Sequence, residues 1–254
     1  IWEEKNIFSK EVGMTKPYSI IILPGWGGSH ETWHDFVTLL APQVSDVRVI
    51  DLPCFGTEPC PKEVWGIPEY AAFVEKKIQD IPPEKRVILG HSFGGQVAAF
   101  LVSQNPSVCA KLILSGAAIF RPKRLIKRYL FGGVARVGKV FFSLPYISRY
   151  RAVAERLLYK AADSPDYQHT KQNPIQQAIF QQVTRASVDG GLSHISVPTL
   201  LLWGTHDTYV PIRFGKKIAA RIPHATFVSF QGGTHGLHRS KPQEMVQEIL
   251  LFLS

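Results

Sequence analysis

Val87-Ile88-Leu89-Gly90-His91-Ser92-Phe93-Gly94-Gly95-Gln96-Val97-Ala98 joins an apolar strand, a glycine-flanked serine and the start of a buried helix within twelve residues. Residues 87–89 form the short apolar run expected of a buried strand, and residues 96–102 have the Ala, Val, Phe and Leu content of a buried helix. Between them lies Gly90-His91-Ser92-Phe93-Gly94, a Gly-x-Ser-x-Gly turn that holds a serine in strained geometry with its hydroxyl clear of the sheet's end. Side chains at the glycine positions would collide with the neighbouring strand or helix where the chain reverses. Taken alone, the same pattern also describes a glycine-rich connection with an incidental serine, so the rest of the chain has to separate the two readings.

Outward from this turn, strand-like and helix-like segments alternate. Strands are expected at 18–23, 47–52, 87–89 and 111–114, with helices at 32–40 and 70–78 between them, and residues 6–12 suggest an edge strand. Such a succession of βαβ units predicts an α/β protein with a mostly parallel sheet and helices on both faces. The rhythm breaks near Ala118. From there helix-like stretches dominate (125–131, 134–142, 152–161 and 175–186), and the strand pattern resumes at 197–203 and 225–230, with helices over 212–222 and from Pro242. The expected organisation is a core domain of residues 1–117 and 191–254, interrupted by a helical lid at 118–190.

A serine hydroxyl attacks a carbonyl only when a base removes its proton, and that base needs a third group to orient it and stabilise its charged form. Asp207 follows the strand at 199–203 and His235 follows the strand at 225–230, so a parallel sheet would bring both to the edge that carries Ser92. The chain order Ser92, Asp207, His235 is the one this architecture uses. Asp207 also fits a simple turn ahead of Pro211. His238 competes with His235, which is preferred because Gly232, Gly233 and Gly236 surround it. His30, His34, His91 and His206 read as turn or surface histidines, with His91 pointing away from the nucleophile's side. The negative oxygen formed on attack needs two preset N–H donors. Phe93, next after the serine, and Trp26, in the glycine-rich loop after the first strand, are the candidates.

These motifs resemble the α/β-hydrolase fold superfamily, in its branch with an inserted helical lid. Leu23-Pro24-Gly25-Trp26-Gly27-Gly28 is similar to the family's oxyanion loop and Gly90 to Gly95 to its nucleophile turn. Residues 198–204 with Asp207, and 232–235 with Pro242, resemble its acid and base segments. Asp51-Leu52-Pro53-Cys54-Phe55-Gly56 resembles its Asp-x-Pro-Gly-x-Gly stretch, with Cys54 where glycine is usual, and Pro24 stands where histidine is common. The resemblance implies a serine hydrolase, foremost a carboxylesterase cleaving small to medium acyl esters through an acyl-enzyme, with no cofactor and no metal. Carbon–carbon bond hydrolysis and a non-catalytic ligand-binding role are the alternatives.

Composition narrows the partners. The net charge is +9, and between residues 118 and 170 eleven basic residues stand against three acidic ones, so the excess belongs to the lid. A solvated outer face accounts for it, and so does peripheral contact with an anionic membrane surface. No nucleic-acid-binding module is recognisable. The expected partner is a small-molecule ester. Cys54, Cys60 and Cys109 read as reduced thiols of a cytoplasmic protein, with a Cys54–Cys60 disulfide as the alternative.

Overall fold

A computed structural model describes residues 16–120 and 173–254. The candidate edge strand at 6–12 and the expected lid helices at 125–131, 134–142 and 152–161 lie outside the described residues. Among the described residues six strands form one sheet: β1 (Lys16–Leu23), β2 (Val44–Val49), β3 (Arg86–His91), β4 (Lys111–Ser115), β5 (Thr199–Gly204) and β6 (Ala225–Phe230). Their order is β2-β1-β3-β4-β5-β6, and every pairing is parallel. Parallel strands need crossover connections, which place helices over both faces.

The sheet's central strands are apolar on both sides because both sides are covered. Ile20 and Ile22 of β1, Val87 and Leu89 of β3, and Leu200 and Leu202 of β5 pack on one face with Trp33, Phe36 and Ile249. Those last three belong to α1 (His30–Leu40) and α7 (Pro242–Phe252). Ile21, Ile88, Leu112, Leu114 and Leu201 point to the other face and pack with α2 (Ile67–Lys77), α3 (Ser92–Gln104), α4 (Pro174–Arg185) and α5 (Ile212–Ala219). A one-residue slip in any of these strands would exchange the two faces, so the apolar pattern pins the register.

No residue separates β3 from α3. Helix α3 starts at Ser92 itself, earlier than the apolar pattern alone suggests. A Cβ on Gly94 would stand 2.1 Å from the carbonyl oxygen of Leu23, so the helix reaches β1 at backbone-to-backbone distance only because that side chain is missing. Strand β2 ends earlier than expected, at Val49. Beyond it the Asp51 carboxylate accepts the backbone amides of His30 (2.6 Å) and Thr57 (2.9 Å), which draws the chain into a loop. Burial alone would raise the Asp51 pKa, but these bonds and those from the His30 ring and Thr57 hydroxyl outweigh it and hold the carboxyl below its ordinary value.

Within that loop Cys54 and Cys60 are joined in a disulfide, which corrects the expectation of three reduced thiols. Reversal of the chain around Pro53 and Gly56 brings the two cysteines together, with Cys54 in the left-handed region (φ 77°) and its amide donating to Pro59 O. Cys109 is free and buried, and burial pushes its thiol up to about 12. Thiol titration should therefore detect no reactive cysteine in the native protein, one after denaturation without reductant and three after reduction. Three thiols in the denatured, unreduced protein would contradict the disulfide.

Candidate active site

The C-terminal ends of β1, β3, β5 and β6 meet at one edge of the sheet, and the loops leaving them surround a cleft of about 640 Å³. Ser92 lies in its floor, half-buried, in the left-handed backbone region with φ 52°. For a serine that conformation is strained, and it persists because α3 and β3 are fixed on either side. The backbone of Gly25 passes directly over it, since a Cβ there would lie 3.1 Å from Ser92 Cβ. The Ser92 carbonyl accepts the amide of Ala118 (2.9 Å), tying the turn to the chain leaving β4.

Asp207 and His235 come together across the loops after β5 and β6. His235 Nδ1 lies 2.8 Å from Asp207 Oδ2, and the aspartate side chain is 1% exposed. The other aspartate oxygen accepts the amides of Tyr209 (2.9 Å) and Val210 (2.8 Å). Asp207 thus serves as a turn residue through one oxygen and as the histidine's partner through the other. Since a carboxylate only accepts, His235 carries its proton on Nδ1, leaving Nε2 as the ring's free acceptor. Tyr209 stacks on the His235 ring at 5.0 Å, and both His235 and Ser92 line the cleft.

Phe93 is the second residue of α3, so its amide is among the first four of the helix, which have no intrahelical acceptor. Trp26 lies in the loop after β1 and packs edge-on against Phe93 (5.4 Å), Phe55 (4.8 Å) and Phe180 of α4 (4.9 Å). The two candidate oxyanion donors are therefore locked to each other by their own side chains.

His91 departs from expectation. It is buried rather than at the surface, its Nδ1 is 3.0 Å from Ser115 O, and its ring lies 4.8 Å from that of His235 in the same cleft wall. Burial, then the neighbouring His235 and His238, push its pKa well below the ordinary value, so it is neutral. His238 is buried too, stacked flat on Trp33 at 4.0 Å, with burial as the main cause that lowers its pKa to about 3. Among the described residues it makes no contact of the kind His235 makes with Asp207. His30 and His34 are exposed on α1, where His30 pairs with Asp51, and His206 is exposed at the cleft rim.

A match to the alpha/beta hydrolase fold family spans residues 18–242. The chain belongs to that family. Among curated proteins this hydrolase is 24% identical over 249 residues to the pimeloyl-[acyl-carrier protein] methyl ester esterase of Aeromonas hydrophila, covering 92% of this chain and 94% of that one. It is 25% identical to the uncharacterized hydrolase YugF of Bacillus subtilis, covering 98% and 94%. Among solved structures, an esterase from Exiguobacterium antarcticum superposes with a TM-score of 0.69 at 17% identity, covering 94% of this chain and 93% of that one.

One positioning residue escaped the sequence reading. Gly116, just past β4, has φ 53°, and a Cβ on it would come within 3.1 Å of His235 Nδ1 and 3.3 Å of Asp207 Oδ2. Its only sequence signal is a glycine at the end of a strand in the hydrolase core. Gly116→Ala should cost about 1 kcal/mol of stability and lower kcat more than it raises KM, because the methyl group presses on the His235–Asp207 bond. Acid stability gives a separate check. His91 and His238 bind protons in the unfolded chain below pH 6.5 but not in the native one, so stability is full above that value and falls as pH drops toward 3. His238→Phe keeps a ring on Trp33 and should flatten that decline, by roughly tenfold in the unfolding equilibrium per pH unit, in denaturant titrations at pH 6.5, 5.5 and 4.5.

Proposed function

We propose that this hydrolase is a serine carboxylesterase acting on small to medium acyl esters. The observation that carries the reading is the 2.8 Å His235–Asp207 bond in the wall of the cleft whose floor holds Ser92. Ser92 Oγ attacks the ester carbonyl while His235 Nε2 takes its proton. Asp207 holds the ring in the required tautomer and stabilises the imidazolium that forms. The amides of Trp26 and Phe93 receive the developing oxyanion. His235 then protonates the departing alcohol, and a water activated by the same nitrogen releases the acid from the acyl-enzyme. Relatives and structural neighbours that are named esterases support ester cleavage over other chemistry of the fold.

Residues 118–190 are proposed as a cap that sets acyl-chain length. Their described C-terminal part supports this, since α4 buries Ile179 and Val183 against the core and presents Phe180 to Trp26. The basic segment of that cap, 121–160, is suited to an anionic membrane surface. No helix among the described residues is long and apolar enough to cross a membrane. The Cys54–Cys60 disulfide favours an oxidising compartment over the cytoplasmic one expected from composition.

A fluorophosphonate probe should label Ser92, and p-nitrophenyl esters of short and medium chain should be turned over. Ser92→Ala should abolish labelling and lower kcat by about 10⁴-fold or more. Unchanged turnover in that variant would refute the mechanism.

A further inference from the structure

Among the described residues that line the cleft there is neither an aspartate nor a glutamate. The Asp207 carboxylate lies behind His235 with its oxygens taken by that ring and two amides. Among the described residues that line the cleft the one permanent charge is Arg239, two residues beyond the start of the short helix α6 (Leu237–Ser240). A guanidinium stays protonated at every pH the enzyme meets. Arg239 is exposed, and among the described residues its side chain has no carboxylate partner and no hydrogen-bond acceptor. It folds back over the loop of the candidate base, because a Cβ on Gly236 would come within 3.3 Å of its Nε.

Its neighbour His238 is out of a substrate's reach. That side chain is 5% exposed, and its Nδ1 is buried with no hydrogen-bond partner among the described residues. The wall beside His235 therefore offers a substrate one cation, Arg239, with no carboxylate among the described lining residues to repel an anion. A neutral ester makes no use of that charge. An oxyanion group placed on the same substrate would meet a planar fork of N–H donors that matches carboxylate and phosphate geometry.

We infer that the cleft selects esters carrying a second, anionic oxygen group, carboxylate or phosphate, and that Arg239 is the residue that reads it. The inference rests on the esterase reading above and deepens it to a substrate class. A net charge of +9 acts in the same direction by drawing anionic substrates toward the protein.

Two substrate arms test it. In the first, hemi-esters of dicarboxylic acids are compared with uncharged esters of equal length in which a methyl group replaces the free carboxylate. In the second, acetyl esters of hydroxyalkyl phosphates are compared with acetyl esters of the parent diols. The expected result is a kcat/KM advantage of about tenfold for the anionic member of at least one arm, carried by KM and shrinking as ionic strength rises above roughly 0.1 M. The arm that shows it identifies the anion. Arg239→Gln should bring the anionic-to-neutral ratio toward one, and Arg239→Lys should restore part of it. Equal rates within both arms would overturn the inference, as would a charge preference that survives in Arg239→Gln. Failure of the esterase reading would look different, as absent fluorophosphonate labelling of Ser92 and no turnover of any ester.

Discussion

The approach of α3 to β1 is the constraint on which the site depends. Helix and strand meet so closely that the Cβ missing from Gly94 would sit 2.1 Å from a carbonyl oxygen. This contact forces the chain to reverse within one residue, and Ser92 takes the strain of that reversal in its backbone. The same closeness lets the loop after β1 lie over the serine, with Trp26 wedged against Phe93. A larger residue at position 94 would lift the helix, release Ser92 from its conformation and separate Trp26 from Phe93. The backbone geometry of Ser92 and the seating of the loop above it therefore have one mechanical origin.

Much of this was legible because strands buried on both faces leave a plain trace. Ile20 to Leu23 and Leu200 to Trp203 are continuous apolar runs, and each ends where the chemistry-bearing loop begins. Asp207 and His235 were readable from position alone, since a parallel sheet gathers strand ends. Three features were not. His91 is the last residue of β3, and nothing local reveals that Trp33, His235 and His238 close around it from distant segments. Gly116 reveals its role only once two loops more than ninety residues further along the chain place a histidine and an aspartate beside it. Cys109 is free as expected, but the Cys54–Cys60 disulfide was the less favoured alternative because composition argues from core size, whereas that bond depends on how a proline-rich loop turns.

Three of the four histidines that line the cleft show how position separates identical side chains. His235 has a carboxylate at Nδ1, His91 has a carbonyl oxygen, and His238 Nδ1 has no partner among the described residues. The buried pair cannot accept protons readily, because each would place a charge in an apolar wall close to another imidazole and to Arg239. They form a neutral lining beside the His235–Asp207 pair.

The Cys54–Cys60 loop does more than close on itself. Phe55 packs on Trp26, the Cys54 carbonyl accepts Gln176 Nε2 at 3.3 Å, and Asn173 reaches the Cys60 sulfur, so one small ring touches both the oxyanion loop and the start of α4. Closing a ring with a sequence separation of 6 restricts the unfolded chain by only about 2 kcal/mol. Its larger consequence concerns how the protein is made. Material folded in a reducing host would carry an open form of this ring, and a preparation of mixed oxidation would behave as two enzymes of equal mass to within two hydrogens, distinguishable by kinetics before they are distinguishable by size.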